Sequence, residues 1–449
     1  MEKEKVPKLS LRMKLIWPLG SISVSMLSVL AGNINFFASD YLGVSIALVG
    51  TLIMMSKIFD GFTDLVAGYL VDRTHTRFGK GRPYELAIIG YWGCTILLFC
   101  APKMNAVASA AYLFIMYTLI YSIFGTLYNC GNPVYMANAL DDSRQSVSLV
   151  SISGAVATIA SMAGAMILPI MIATMGTSLA GWRKIALIFG IPMLAIGLVR
   201  FFFIKEKKQT EITTAEKISV REMLSVVAKN KYLLLVALIN GLAGIGINLT
   251  TTTMMYYCKY IMNDVGIASV LSLSMLSVIV VVVLMPSLSK HFGLTNVMKV
   301  CSLIGAAGFA LRLLDLSSVP LLIVSSILSF LGFYSFTSFT GSMVIDCMDY
   351  GEWKTGKRSE GSLAAMTSVT AKIGTAAGVG LAGILLGIAG YNGTFDVQPT
   401  SAENMIIALS SWVPAIFCIV QFALLSFYKL DKELPGIRKE LALRHTDAK

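Results

Sequence analysis

Runs of eighteen or more apolar residues, separated by short polar turns, recur along the chain from Leu15 to Tyr428. About twelve can be counted. They predict membrane-spanning helices over 15–38, 45–71, 83–101, 108–138, 146–175, 184–204, 231–258, 266–289, 295–314, 319–347, 362–390 and 403–428. The longest polar stretch inside this series, 205–230, divides them six and six. The expected architecture is therefore an all-α membrane protein of twelve transmembrane helices in two six-helix bundles. Residues 1–204 would form the first bundle, 205–230 a cytoplasmic middle loop, 231–428 the second bundle and 429–449 a cytoplasmic tail. In such a plan a solute path runs between the bundles near the bilayer midplane. The second span ends in THTRFGKGRPYELA and the eighth in SKHFGLTNVMKV, a weak echo that suggests a half-repeat. Small residues spaced by four, at Gly374 and Gly378 and at Gly383 and Gly387, would let helix backbones approach closely.

Composition agrees with this pattern. The chain is 56% hydrophobic and 14% charged, with a mean hydropathy of +0.74. The first apolar run, which follows a basic start, is too long for the core of a cleaved signal peptide. A net charge of +11 raises the question of nucleic acid. The cations, however, cluster on one side of the expected topology, at Lys3–Lys14, Arg73–Arg82, Arg144, Lys205–Lys231, Lys290, Lys354–Arg358 and the tail. The other side holds Lys103, Arg183, Lys184, Lys259 and Arg312. By the positive-inside rule both termini are expected in the cytoplasm, in a multi-pass protein of the cell (inner) membrane that binds no nucleic acid. The seven cysteines and three histidines form neither a CxxC pair nor a zinc pattern. Catalytic and nucleotide motifs are absent, so the reading is a non-enzyme without cofactor.

Polar groups inside apolar runs carry the candidate chemistry. Asp60, Thr63 and Asp64 fall on one helical face, and Asp60 lies about 18 Å from the end of its span at Asp72, near the midplane. Carboxylates at that depth mark an ion pathway by default. Their oxygens suit a small hard cation such as Na⁺, with a shared proton as the competing occupant. Lys57 could instead join the aspartates in a structural salt-bridge network. Lys372, deep in the eleventh span, could hold a solute's oxygens or snorkel to the interface. Asp346 and Asp349 end the tenth span beside Lys354, Lys357 and Arg358, which suggests a cytoplasmic salt-bridge gate. Asn33, Asn35, Tyr128, Asn129, Asn132, Asn240 and Asn248 are candidates either to line a wet cavity or to join helices by hydrogen bonds. Of these, Asn33, Tyr128 and Asn129 stand with Lys372 as the candidate solute contacts.

Four blocks give the chain a resemblance to the glycoside–pentoside–hexuronide:cation symporters, a branch of the major facilitator superfamily that includes the melibiose permease. They are Asp60-Gly-Phe-Thr-Asp64; Asp72-Arg-Thr-His-Thr-Arg77-Phe-Gly79-Lys80-Gly-Arg82-Pro83; Asp346-Cys-Met-Asp349-Tyr350-Gly351-Glu352 with Lys354-Thr-Gly356 and Glu360-Gly361; and Ala371-Lys372-Ile-Gly374. The resemblance implies alternating access driven by Na⁺, H⁺ or Li⁺, with the cation ligands at Asp60, Thr63 and Asp64 and a fourth, a hydroxyl, at Thr126. It implies coupling or gating roles for Lys57, Asp72, Arg77, Arg82, Asp346 and Asp349. The sugar side departs from the pattern. Positions that carry sugar-binding charge in the melibiose permease fall at Val24, Asn129 and near Gly154. The expectation is a secondary symporter that imports a small polar solute, a sugar, glycoside or hexuronide, and acts as a monomer in the bilayer. Rival readings are a carrier of the same fold for an amphipathic or lipid-like solute, and a non-transporting membrane sensor.

Overall fold

The computed structural model describes residues 9–74, 76–140, 145–207, 230–271, 276–355 and 360–447. The first half contains α1 (Leu11–Ala31), α2 (Ile34–Asp40), α3 (Ile46–Arg73), α4 (Ala87–Phe99), α5 (Ala106–Thr118), α6 (Thr126–Ala139), α7 (Gln145–Met175) and α8 (Leu179–Phe203). The second contains α9 (Lys231–Tyr260), α10 (Ile267–Leu271), α11 (Leu276–Phe292), α12 (Leu294–Leu311), α13 (Val319–Thr355), α14 (Glu360–Ile388), α15 (Thr400–Ser410), α16 (Trp412–Phe427) and α17 (Leu430–Asp447). Among the described residues, ten segments are long and apolar enough to cross a membrane. The short members of the series are α4 and α11, of 13 and 17 residues.

Helix starts follow the capping chemistry of the sequence. Ser10, Ser45, Asn105, Ser178 and Asn230 each accept a backbone N–H from the first turn of the helix they precede, which satisfies a donor that the helix cannot. Three expected spans are interrupted. The first breaks at Gly32–Asn33, between α1 and α2. The fourth runs from α5 into α6 through a π-helical turn, Leu119–Gly125. The last breaks at Ser411, between α15 and α16.

The chain forms two compact units: Met1–Thr213 with Asn263–Ser272 and Gly383–Pro399, and Thr214–Met262 with Leu273–Ala382 and Thr400–Lys449. In the first, α1 packs on α7 and α8, α4 on α8, and α3 on α5 and α6. One end of this unit is tied by its basic turns. The Glu206 carboxylate accepts the backbone N–H groups of Lys80 (2.9 Å), Gly81 (2.8 Å) and Arg82 (2.5 Å), together with the Asn138 amide (3.0 Å). Three successive N–H groups around one carboxylate make an anion nest. The Arg12 guanidinium donates to the Phe203 carbonyl at the same end. At the opposite end the Tyr391 hydroxyl donates to Asp40 at 2.8 Å. A Cβ on Gly383 would lie 2.6 Å from the Ile46 carbonyl oxygen, so this helix crossing requires glycine.

The second unit has one apolar core that includes Tyr232, Met298, Phe336, Cys347, Cys418 and Tyr428. Its α9 and α14 meet at glycine, since a Cβ on Gly374 would stand 2.6 Å from the Gly241 carbonyl oxygen. That contact is the one anticipated from the small-residue spacing. Arg312 is buried and donates to the Ser410 carbonyl (2.6 Å) and the Ser326 hydroxyl (3.0 Å). The first of these satisfies a carbonyl at the C-terminus of α15, where the chain breaks before α16. Residues 429–449, expected as a tail, contain a docked helix. From α17, Leu434, Ile437 and Leu441 enter the core, while Glu433 accepts from the Tyr232 hydroxyl at 2.8 Å.

Candidate functional site

The site is built on α3, which runs unbroken from Ile46 to Arg73. Asp60 lies thirteen residues before Arg73, about 20 Å along the axis, so it stands well inside the helix, as its expected depth requires. Asp60 is 7% exposed. Thr126, buried at the start of α6, faces it. The Thr126 hydroxyl oxygen lies 3.1 Å from Asp60 Oδ1, 3.2 Å from Asp64 Oδ1 and 3.2 Å from the Tyr121 carbonyl oxygen. A hydroxyl owns one proton. Three acceptor oxygens around that one donor concentrate negative charge at a single point, which suits a cation or an added proton.

Local structure explains why Thr126 reaches the aspartates. The π-helical turn before it carries one extra residue per hydrogen-bonded ring, which shifts the following face of the helix. Such turns recur at functional sites. Ser56 secures the register, because its hydroxyl receives the Thr118 hydroxyl at 3.1 Å and its carbonyl receives Ser122 at 3.2 Å. Thr63 returns its own hydroxyl to the Asp60 carbonyl at 3.0 Å. Its oxygen is thus held against the backbone of the same turn and retains acceptor lone pairs. Asp60, Asp64, Thr63 and Thr126 are thus gathered in one place. Among the described residues no group of three His, Cys, Asp or Glu could hold a metal ion. This donor set of two carboxylates and two hydroxyls fits a small hard cation carried as co-substrate.

Lys57, one turn before Asp60, rests on an aromatic shelf, with its ammonium 3.8 Å from the Tyr121 ring centroid and 5.7 Å from that of Tyr117. The two rings lie 4.6 Å apart at 40° to each other, and a cation over them is attracted by the ring faces. The sequence signal for this shelf is Tyr117 and Tyr121 at i and i+4.

The remaining expected residues are placed as follows. Asn129 is exposed on α6, and Lys372 is half-buried on α14 in the second unit. Asn240 and Asn248 join α9 to α14, through Thr367 and Thr370 in one case and Thr375 in the other. Asn33 spends its amide on the Val29 carbonyl at 3.0 Å, which helps to turn the α1–α2 break. Tyr128 does not present its hydroxyl to a solute: the group is buried and accepts from Arg200 at 2.7 Å. Arg82, expected as a gating cation, gives its guanidinium to the Phe201 carbonyl at 2.9 and 2.7 Å within the first unit. Arg77 is exposed, with its guanidinium over the Phe78 ring. The side chain of Asp72 lies outside the described residues, as do Lys357 and Arg358. Asp346 and Asp349 both pair with Arg438 of α17, at 3.0 and 2.8 Å. This partner comes from the last helix, where the sequence suggests the cations Lys354, Lys357 and Arg358.

The first unit also contains a buried ion pair that its sequence does not announce. Arg200 and Glu85 are 0% and 1% exposed, and Arg200 Nε donates to Glu85 Oε2 at 2.6 Å. Both stand at span ends, where a charge reads as interfacial.

The sequence profile of the MFS/sugar transport protein family matches residues 18–432. The chain is 30% identical over 427 residues to an isoprimeverose transporter of Lactiplantibacillus pentosus, covering 93% of this chain and 88% of that protein. It is 26% identical to a putative sulfoquinovose importer of Escherichia coli (strain K12), over 95% of this chain and 92% of that protein. It is 25% identical to a glucuronide carrier protein homolog of the same strain, over 90% and 89%. Among solved structures, a nucleoside transporter superposes with a TM-score of 0.66 at 16% identity, covering 93% of this chain and 99% of that one. A D-xylose–proton symporter gives a TM-score of 0.61 at 15% identity, over 93% and 97%. These two structures speak for the fold alone. The chain belongs to the MFS/sugar transport protein family, in its glycoside–pentoside–hexuronide branch, and is a cation-coupled membrane transporter rather than an enzyme.

Proposed function

We propose that this protein imports a glycoside or hexuronide, driven by a cation held between Asp60, Asp64, Thr126 and Thr63. The observation that carries the reading is the single Thr126 hydroxyl shared by both carboxylates. Binding a Na⁺ ion or a proton there compensates charge that is costly at mid-bilayer depth. Release of the cation on the other side of the membrane would restore that cost, and this ties cation movement to the conformational cycle. The solute class is supported by relatives named for isoprimeverose, sulfoquinovose and glucuronide. On this chain the solute contacts are assigned to Asn129 and Lys372. Both termini are placed in the cytoplasm and the working unit is a monomer.

Asp60→Asn and Asp64→Asn each remove one of the two charges. In proteoliposomes with an imposed Na⁺ or H⁺ gradient, both variants are expected to lose uphill accumulation of labelled glycosides and glucuronides while retaining solute exchange. Uphill accumulation at the wild-type rate in both would sink the assignment.

A further inference from the structure

The structure assigns to Tyr128, Arg200 and Glu85 the task of positioning the cation site from behind; this rests on the cation-site reading above. Thr126 is presented by α6, and the helix just before it is the π-helical turn Leu119–Gly125. A π turn is a loosely bonded piece of helix, so α5 alone does not fix where Thr126 stands. Ser56 holds the turn from the α3 side, and a second support comes from the other side of α6. Tyr128 follows Thr126 by two residues, or about 200° around the helix, which places the two side chains on nearly opposite faces. Thr126 faces Asp60 and Asp64 on α3, at 3.1 and 3.2 Å. Tyr128 faces α8 and accepts from Arg200 Nη2 at 2.7 Å.

Arg200 is itself immobilised. Glu85 accepts from both Arg200 Nε, at 2.6 Å, and Arg200 Nη2, in a fully buried bidentate pair. The Trp17 ring of α1 covers the guanidinium with its centroid 4.5 Å away. Gly20 of α1 stands at the closest point, where a Cβ would lie 2.8 Å from Arg200 Cζ and 2.9 Å from the Tyr128 hydroxyl oxygen. A second tyrosine, Tyr135, seven residues on and so on the same face as Tyr128, donates to the Arg200 and Ile204 carbonyls at 3.1 and 2.8 Å. Thus α6 is braced between α3 and α8. The brace at the level of the cation ligand is the Tyr128 hydroxyl on a charged group that cannot move. Tyr128 is a positioning residue: its hydroxyl is engaged by Arg200, on the face of α6 away from Thr126.

The test uses purified full-length protein, melted in rising NaCl, LiCl or acid against choline chloride at constant ionic strength. The readout is the cation concentration at half-maximal stabilisation. Tyr128→Phe keeps the ring and removes the acceptor; the midpoint should rise about tenfold, as for loss of an outer-shell support. Tyr135→Phe removes a tyrosine hydrogen bond farther from Thr126; it should lower the melting temperature without moving the midpoint. Tyr128→His, whose ring nitrogen can accept from Arg200, should restore the midpoint and covers the case of a poorly folded Phe variant. A Tyr128→Phe protein that melts lower with a wild-type midpoint overturns the positioning role alone. A wild type that none of the three cations stabilises overturns the cation site itself, and the positioning role with it.

Discussion

At the scale of single residues, the site turns on one oxygen. Thr126 shares its hydroxyl between two carboxylates. Valine has nearly the same shape and no oxygen. Thr126→Val should therefore raise the cation concentration for half-maximal uptake at least tenfold, by analogy with loss of one ligand support, while Thr126→Ser stays near wild type. Equal midpoints for Val and Ser would show that the hydroxyl is not a ligand. The aspartates were legible in the sequence because a charge inside an apolar run is conspicuous. Thr126 was placed only through the resemblance, because a threonine in a membrane helix is ordinary and its partner lies sixty-six residues away. The partner of Tyr128 is hidden from the sequence for a related reason. A polar group in an apolar run must find a partner, but sequence does not say whether that partner is a solute or a buried arginine. The buried pair behind it also has an energetic signature. Removing Arg200 leaves Glu85 charged and alone in a dry core, at a cost of about 3–5 kcal/mol. That is why the gentler Tyr128→Phe is the informative variant.

At the scale of elements, each expected span coincides with a helix or a pair of helices, because hydropathy and capping both report on local sequence. Two of the internal breaks carry no local signal. Gly32–Asn33 interrupts a helix without any proline at the break, and the π-helical turn at Leu119–Gly125 carries only one glycine, at its end. The break at Ser411 does carry a signal: Pro414, the third residue of α16, has no N–H to return to the Ser410 carbonyl four residues back. The last helix, α17, has the sequence LDKELPGIRKELALRHTD, in which eight of eighteen residues are charged, and this suggests a tail. Its apolar residues at Leu430, Leu434, Ile437 and Leu441 repeat at helical spacing and are buried. Arg438 pins it to Asp346 and Asp349 on α13. The Arg438 side chain is 51% exposed, so each pair contributes little, about 0.2–1 kcal/mol, and is screened by salt. Arg438→Gln should accordingly leave the global melting temperature almost unmoved. It should speed hydrogen exchange selectively across residues 430–447, and the contrast with wild type should fade in about 1 M salt. Unchanged exchange in that helix would show that the apolar face alone holds it.

At the scale of the whole molecule, charge sets direction, and each unit makes the case separately. In the first, bonds from Arg12 to Phe203, from Lys207 to Asn138, and from the Lys80–Arg82 turn to Glu206 gather the start of α1, the α3–α4 turn and the ends of α6 and α8 at one end. Lys14, Arg73, Arg77, Lys80, Lys205 and Lys207 belong to those segments. The opposite end, where Arg183 donates to the Ala101 carbonyl at 3.0 Å, adds only Lys103 and Lys184. In the second unit, Tyr232 with Glu433 and Thr295 with Asp431 gather the starts of α9 and α12 around α17, with Lys231, Lys432, Arg438 and Arg444. Short loops rich in Lys and Arg stay on the cytoplasmic side during insertion, so the basic end of each unit, taken by itself, is its expected cytoplasmic end. In a variant with its seven cysteines replaced, Lys103→Cys should react with a membrane-impermeant maleimide on intact cells. Lys80→Cys should react only after the membrane is opened. Labelling in the reverse order would invert the protein in the membrane, and the direction of cation-driven movement through the Asp60 site would invert with it.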